Sequence, residues 1–242
     1  LVRRGVKLEK VYLGAMAAAI AALASLTFFP TFGGDLLWPL LGVCFSLSNI
    51  AYSLVAHAFP PALSGRANTA LNLLVFAGAF GLMFLVEKTK DSAAGVGALL
   101  AFTFFMGLML SRMIEQILHF SNGGQLIMTA FGGTGLVFAT MASVATTSKR
   151  DFSGLSSWLF AGVIVILLAG VANIFLQMPA LQIVISLVAV AIFSAYILFD
   201  VQRIVNGGET NYITATLAIY LDLYNVFVNL LALLGIFGGE RE

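Results

Sequence analysis

Long apolar runs, separated by short breaks rich in glycine, proline or charge, dominate the chain. Each run has about the 20 residues that an α-helix needs to cross a bilayer. A membrane β-barrel would instead need alternating segments of about ten residues. The pattern predicts an all-α integral membrane protein with about eight transmembrane helices. These segments, labelled A to H in chain order, cover residues 11–29, 37–58, 69–86, 95–111, 124–145, 155–177, 180–201 and 213–237.

Composition supports a lipid environment. Hydrophobic residues make up 60% of the 242 residues and charged residues 10%, whereas an ordinary soluble domain has roughly 25% charged residues. The net charge of +1 comes from scattered side chains, which excludes a nucleic-acid-binding surface. The single cysteine, Cys44, can form neither an internal disulfide nor a thiolate metal site.

The first 29 residues begin with a basic stretch followed by an apolar run, as a signal peptide does. Segment A is long enough to span a membrane, lacks a small-residue cleavage site and is followed at once by further spans. We therefore predict a membrane helix here. Because the chain begins with Leu1 rather than methionine, we expect a fragment or a trimmed chain.

Lysine and arginine collect in short cytoplasmic loops of membrane proteins, and here they give two conflicting orientations. The first part of the chain favours its N-terminus and the loop around Arg66 inside, whereas the second favours the C/D, E/F and G/H loops inside. Segment C cannot satisfy both, which predicts two pieces joined near residues 70–82. The bases of the second part are Lys88, Lys90, Lys149, Arg150 and Arg203.

The chain from about Gly78 to Arg241 closely resembles the Bax-inhibitor family of multispanning membrane proteins, including its bacterial members. The resemblance implies that segments C to H form a six-helix bundle around a central C-terminal helix, in a bacterial inner membrane. We therefore assign residues 78–242 to a Bax-inhibitor-like domain. The matching stretches are GLMFLVEKTKDSAAG at 81–95, the run from GGQLIMTAFGG to DFSGL at 123–155, GVANIFLQMPALQIVIS at 170–186, and the run from AYILFD to NVFVNLL at 195–231.

The first third is similar instead to late helices of a major-facilitator transporter. This likeness lies in residues 3–26 and 59–80. It predicts that residues 1–77 are a transporter-like hydrophobic hairpin and junction. A natural fusion, a rearranged gene and an assembly artefact are all open explanations.

Segment H carries a polar stripe in an otherwise apolar run. Asp222, Asn225 and Asn229 recur at positions i, i+3 and i+7, which places them on one helix face. Ionisable side chains inside a membrane are costly and usually functional, so Asn225 and Asn229 are candidate pore-lining or supporting residues. The alternative is that the amides only join neighbouring helices by hydrogen bonds.

Asp200 ends segment G and, taken alone, fits a solvated acid at a helix end. The family resemblance implies more, because bacterial relatives with channel-like behaviour carry acids at both matching positions, Asp200 and Asp222, as a proton-sharing pair. Two close carboxylates in a low dielectric do not both ionise easily, so such a pair would sense pH and bind Ca²⁺ only weakly and transiently. The resemblance also implies a basic latch at Lys88, whose alternative role is that of an interfacial anchor.

The remaining motifs suit helix packing rather than chemistry. Residues 206–212 are predicted to form a cytoplasmic turn that caps segment H, and the glycines of 131–135 to let helices approach closely. Asn173 and Gln177 either line a cavity or bond neighbouring helices. No catalytic motif is present, so we expect neither an enzyme nor a cofactor.

Two functional hypotheses follow, and a transporter, which needs a full set of repeats, is not favoured. The first is a pH-sensitive cation leak channel, for Ca²⁺, gated by Asp200 and Asp222. The alternative is a regulatory protein that binds and modulates a membrane-anchored ATP-dependent protease, as some similar bacterial proteins do. Retention of both acids favours the leak, whereas a charged N-terminal tail inside the cell would favour regulation. The permeant ion and the oligomeric state stay open.

Overall fold

A computed structural model describes residues 77–239, and these residues form helices joined by short turns without any strand. The all-α prediction is confirmed for this part of the chain. Predicted segments A and B lie outside the described residues. The helices are α1 (77–89), α2 (Ala93–Leu118), α3 (Gly123–Thr147), α4 (Ser156–Leu176), α5 (Pro179–Val205) and α6 (Tyr212–Gly238), with a 3₁₀ turn at Ser153–Leu155 before α4.

Predicted segments D to H correspond to α2 to α6, and residues 77–86 of segment C lie in α1, whereas residues 69–76 lie outside the described residues. In the described part of the chain, the five helices α2 to α6 are long and apolar enough to cross a membrane. The largest difference is at α2, which continues to Leu118 rather than ending at residue 111, because the polar residues Arg112 and Glu115 lie on further helical turns.

The turn between α4 and α5 follows from the local sequence. Gln177 follows α4 in the left-handed conformation, with φ of 50°, and its N–H donates to the carbonyl oxygen of Asn173 at 2.8 Å. Pro179 then begins α5, where a missing backbone N–H costs no helical hydrogen bond. The two helices are thus joined by a turn of two residues.

By their contacts the described residues fall into two compact units. One comprises 77–83 with Ala101–Arg112, and the other Phe84–Leu100 with 113–239. Within the first unit Gly78 lies against the ring of Phe105, so closely that an added Cβ would be 3.2 Å from Cζ of that ring.

The second unit is organised around α5 and α6. α5 packs against α6, α3 and α4, and α6 also packs against α3. A buried core joins the end of α2 to α3 and α6 through Ile117, Leu126, Ala130 and Leu231. Among the glycines of 131–135, Gly133 faces α6, since an added Cβ would be in ordinary contact, at 3.4 Å, with a methyl group of Leu230. Gly132 and Gly135 have no such neighbour among the described residues, so the close approach predicted for these glycines stays a prediction.

Large apolar side chains cover the outside of the helices. Phe131 of α3, Trp158 and Phe175 of α4, and Phe237 of α6 are each more than two thirds exposed. Monomeric soluble proteins rarely expose apolar surface of this extent. The lipid bilayer is therefore the partner of these faces.

Candidate functional site

The α1–α2, α3–α4 and α5–α6 connections, together with the last turns of α1 and α5, carry almost all the positive charge of the described residues of the second unit. Their bases are Lys88, Lys90, Lys149, Arg150 and Arg203, whereas residues 119–122 and 177–178 contain no lysine or arginine. Such an asymmetry marks the cytoplasmic side of a membrane protein. We therefore describe the end with the three charged connections as the cytoplasmic end.

The α5–α6 turn is a compact polar structure. Gly207 adopts φ of 75°, a conformation that glycine reaches without strain. The N–H of Gly208 donates to the carbonyl oxygen of Arg203 at 2.8 Å, and the guanidinium of Arg203 forms an ion pair with Glu209 at 3.3 Å. The predicted turn at 206–212 is thus confirmed.

Glu209 is held ionised by its surroundings in this turn. The backbone N–H of Asn211 donates to Oε1 of Glu209 at 3.0 Å. This hydrogen bond, more than the nearby Arg203 and Lys90, lowers the pKa of Glu209. The carboxylate therefore fixes the turn at neutral pH.

Asn211 joins this turn to two other parts of the structure. Its side-chain oxygen accepts hydrogen bonds from the N–H groups of Ile213 at 2.9 Å and Thr214 at 3.3 Å, and so caps α6. Its Nδ2 donates to the carbonyl oxygen of Lys90 at 3.1 Å and to Oδ1 of Asp91 at 2.9 Å. One amide thus fixes both the start of α6 and the α1–α2 turn.

Gln202 makes a matching connection to the α3–α4 loop. It lies near the end of α5 with only 6% of its surface exposed. Its Nε2 donates to the carbonyl oxygen of Arg150 at 2.8 Å, and its Oε1 accepts from the N–H of Phe152 at 2.8 Å. A buried amide with both ends bonded is a strong positional constraint, so α5 and the loop are held together.

The two predicted acids come together between α5 and α6. Asp222 is buried, with 4% of its surface exposed, and Asp200 is partly buried. Their carboxyl groups are close enough to interact electrostatically. Oδ2 of Asp222 is buried without a well-aligned hydrogen-bond partner in the described region.

Further polar groups surround the pair. Arg203, one turn beyond Asp200, and Tyr196, one turn before it, are close enough to interact electrostatically with Asp200. The two carboxyl groups could together hold a cation. Within residues 77–239, however, no third acid, histidine or cysteine completes a metal site with them.

In the described part of the chain, the other predicted site residues form no hydrogen bond or ion pair with Asp200 or Asp222. Nδ2 of Asn225 donates to the carbonyl oxygen of Leu221, and Nδ2 of Asn229 to that of Asn225, both at 2.8 Å within α6. Lys88 is exposed and has no ion pair within 77–239. The roles predicted for Asn225, Asn229 and Lys88 stay predictions.

Asn173 joins neighbouring helices rather than standing alone on α4. Its Nδ2 lies 3.4 Å from Oε1 of Gln182 on α5, and its Oδ1 accepts from the N–H of Met178 at 2.9 Å. Gln182 in turn bonds the buried hydroxyl of Ser186 at 3.3 Å. This polar chain stabilises the α4–α5 connection at the end opposite the acids.

Sequence reasoning missed the bridging roles of Gln202 and Asn211. A signal for Asn211 existed, because an asparagine directly before an apolar helix is a typical N-cap. Gln202 gave no comparable signal, since its partners lie about 50 residues earlier in the chain.

These features define a multispanning helical membrane protein in which two aspartates, Asp200 and Asp222, lie close together on α5 and α6. The family model described as inhibitor of apoptosis-promoting Bax1 matches residues 8–239, so the chain belongs to this Bax-inhibitor family. The predicted family is thereby confirmed. The match begins within residues 1–77, for which a transporter-like hairpin stays a prediction.

Curated bacterial proteins are similar to this chain over most of its length. An Escherichia coli K12 protein named modulator of FtsH protease YccA is 43% identical over 180 residues, covering 72% of this chain and 82% of that protein. A second E. coli protein with the same values is named inner membrane protein YccA. An uncharacterized membrane protein of Vibrio cholerae is 37% identical over 197 residues, covering 78% of this chain and 88% of its own length. With the apolar helices α2 to α6, these relatives confirm an integral protein of a bacterial inner membrane.

Proposed function

We propose that this chain is a regulatory membrane protein that binds and modulates a membrane-anchored ATP-dependent protease. The observation that carries the proposal is the 43% identity, over 180 residues, to the E. coli protein named as a modulator of FtsH protease. That similarity covers 82% of the relative, so it extends well beyond a single shared helix. The proposal requires no catalytic residue and no cofactor in this chain.

The architecture of the second unit supports such a role. A regulator of a membrane protease needs apolar helix faces for the membrane part of its partner and a defined surface outside the bilayer. The exposed side chains of α3 and α4 supply the first. Gln202 and Asn211 supply the second, because they hold the α3–α4 loop and the α1–α2 turn in fixed positions.

Binding is tested by co-purification from bacterial inner membranes in mild detergent. The full chain carries an affinity tag, and the FtsH protease is quantified in the eluate. We expect the protease to be enriched over its level with an equally expressed, unrelated multispanning protein carrying the same tag. Equal recovery with both tagged proteins would contradict the proposal.

A second candidate function is a pH-sensitive cation leak, for which the contact between Asp200 and Asp222 is the specific supporting observation. When the shared proton leaves, two negative charges remain side by side in a low dielectric, and their repulsion favours separation of α5 from α6. A site of two carboxylates would bind Ca²⁺ weakly. Weak binding suits a leak, because an ion that passes through must also be released. Asn225 and Asn229 would support the path on α6.

The leak is tested by Ca²⁺ flux into dye-loaded proteoliposomes across about pH 5 to 8, where a proton-sharing carboxyl pair can change its charge. We expect the pH dependence to flatten in Asp200→Asn and Asp222→Asn, because either change removes the repulsion. Asp151→Asn, which alters an exposed loop acid, serves as the matched control and should keep the wild-type profile. Identical profiles in all four proteins would exclude the sensor.

A further inference from the structure

The α3–α4 loop carries two basic side chains that the described residues do not neutralise. Lys149 and Arg150 are both exposed, and neither forms an ion pair with any residue of 77–239. The neighbouring Asp151 is occupied by the turn, because its Oδ1 accepts from the N–H of Ser153 at 2.8 Å. That hydrogen bond lowers the pKa of Asp151. The loop therefore carries two positive charges, on Lys149 and Arg150, beside one carboxylate, Asp151, that is already hydrogen-bonded within the turn.

The backbone that carries these bases is fixed in place. Gln202 bonds the carbonyl oxygen of Arg150 and the N–H of Phe152, each at 2.8 Å. The N–H of Arg150 also donates to the hydroxyl of Ser148 at 3.1 Å. A loop whose backbone is held at Arg150 and Phe152 presents its charges with less backbone ordering cost on binding.

The loop also lies at the level where lipid headgroups are found. It connects Thr147, the last residue of α3, to the beginning of α4, and both helices are long and apolar enough to span the membrane. Trp158, in the first turn of α4, is 80% exposed. Tryptophan concentrates at the membrane–water interface, beside the headgroups. Exposed hydroxyl groups of Ser156 and Ser157 lie between Trp158 and the bases in sequence.

We propose that the α3–α4 loop binds the phosphate group of an anionic phospholipid of the cytoplasmic leaflet, with Lys149 and Arg150 as its cationic ligands and Gln202 as the residue that positions them. An acidic protein surface would also complement the two bases. The lipid is favoured because the basic loop continues directly into the exposed apolar surface of Trp158 and Phe160, which matches a molecule with an anionic head and an apolar tail. This inference does not depend on the proposed protease or leak function.

Trp158 provides the probe for the test. The chain has two tryptophans, and the Trp38→Phe variant leaves Trp158 as the only one. This full-length protein is reconstituted into vesicles that contain equal fractions of phosphatidylcholine and phosphatidylglycerol. Two samples are compared, which differ only in whether the phosphatidylcholine or the phosphatidylglycerol carries bromine on its acyl chains near the headgroup. Bromine quenches tryptophan fluorescence on contact, so the ratio of quenching reports which lipid lies beside Trp158.

We expect the site beside Trp158 to prefer phosphatidylglycerol over phosphatidylcholine roughly tenfold. Each base near an anionic surface strengthens the attraction about fivefold, and the negative charge of Asp151 offsets part of the combined attraction. The preference should fall to about one in Lys149→Gln/Arg150→Gln. The matched control, Lys88→Gln/Lys90→Gln, removes two bases from the same end of the protein and should keep the preference. Gln202→Leu keeps both bases but frees the loop, and should reduce the preference several-fold.

Circular dichroism and the unquenched emission maximum establish that each variant is folded. Equal quenching by both lipids in the parent protein would overturn the proposal and leave an acidic protein surface as the partner of the loop. If the Lys88/Lys90 control lost the preference equally, the preference would come from general charge attraction and not from the α3–α4 loop. If folded Gln202→Leu kept the full preference, the positioning role of Gln202 would be contradicted. Inorganic phosphate that abolished the preference at matched ionic strength would assign the site to the free anion instead of the headgroup.

Discussion

Nδ2 of Asn211 lies 2.9 Å from Oδ1 of Asp91, although the two residues are 120 positions apart in the chain. The same side chain caps α6. The start of the C-terminal helix and the turn between α1 and α2 are therefore positioned by one amide group. An amide suits this connection because its oxygen accepts from the helix while its NH₂ group supplies two donors, one for the carbonyl oxygen of Lys90 and one for Asp91.

Asn211→Ala should lower the free energy of unfolding by about 1 to 2 kcal/mol, since it removes both a helix cap and a hydrogen bond to a charged group. Asn206→Ala is the matched control, because this exposed asparagine lies in the same turn. It should change stability by no more than about 0.5 kcal/mol. Denaturant unfolding in detergent micelles measures both variants, and equal stabilities would contradict the role assigned to Asn211.

Gln177→Gly should raise the free energy of unfolding by up to about 1 kcal/mol, since an L-residue pays roughly that cost in the left-handed conformation and glycine does not. Gln177 has φ of 50° and an exposed side chain, so little packing is lost. Gln177→Val, which adds a β-branch at the same φ, should destabilise instead. Unfolding temperatures in the same detergent provide the comparison, and a lower value for the glycine variant would refute the explanation.

The turn between α5 and α6 should weaken in acid. The folded-state pKa of Glu209 lies below its ordinary value of 4.5, chiefly because the N–H of Asn211 donates to it. A lowered folded pKa means that the stabilisation is complete above pH 4.5 and is lost as the pH falls through the lower folded value. Glu209→Gln should therefore have a shallower loss of unfolding temperature below pH 4.5 than the wild type. Parallel curves for the two proteins would show that Glu209 does not contribute.

Much of the helical layout could be predicted from sequence because a bilayer imposes it. Each span must be one continuous apolar run, and the runs are separated by visible breaks, so segments D to H match α2 to α6. The end of α2 was predicted too early, because a helix can continue through Arg112 and Glu115 once its backbone hydrogen bonds are formed. Hydropathy marks where the apolar run ends, whereas the helix itself ends at Leu118.

The site was only partly predictable. Asp200 and Asp222 could be singled out because charge within an apolar run is conspicuous, and the structure brings the two together. The partners of Gln202 could not be foreseen, since an amide two residues after Asp200 looks like any solvated helix end. Only the tertiary arrangement places Arg150 and Phe152 against it.

The central proposal, modulation of a membrane-anchored protease, is tested most directly by the rate at which the protease degrades a membrane substrate. FtsH and a fluorescent membrane substrate are reconstituted with ATP in proteoliposomes, with and without an equimolar amount of this chain. We predict a change in the degradation rate that grows with the amount of the chain, saturates, and is absent with an unrelated multispanning protein. A rate that is the same at every amount of the chain would contradict the proposal.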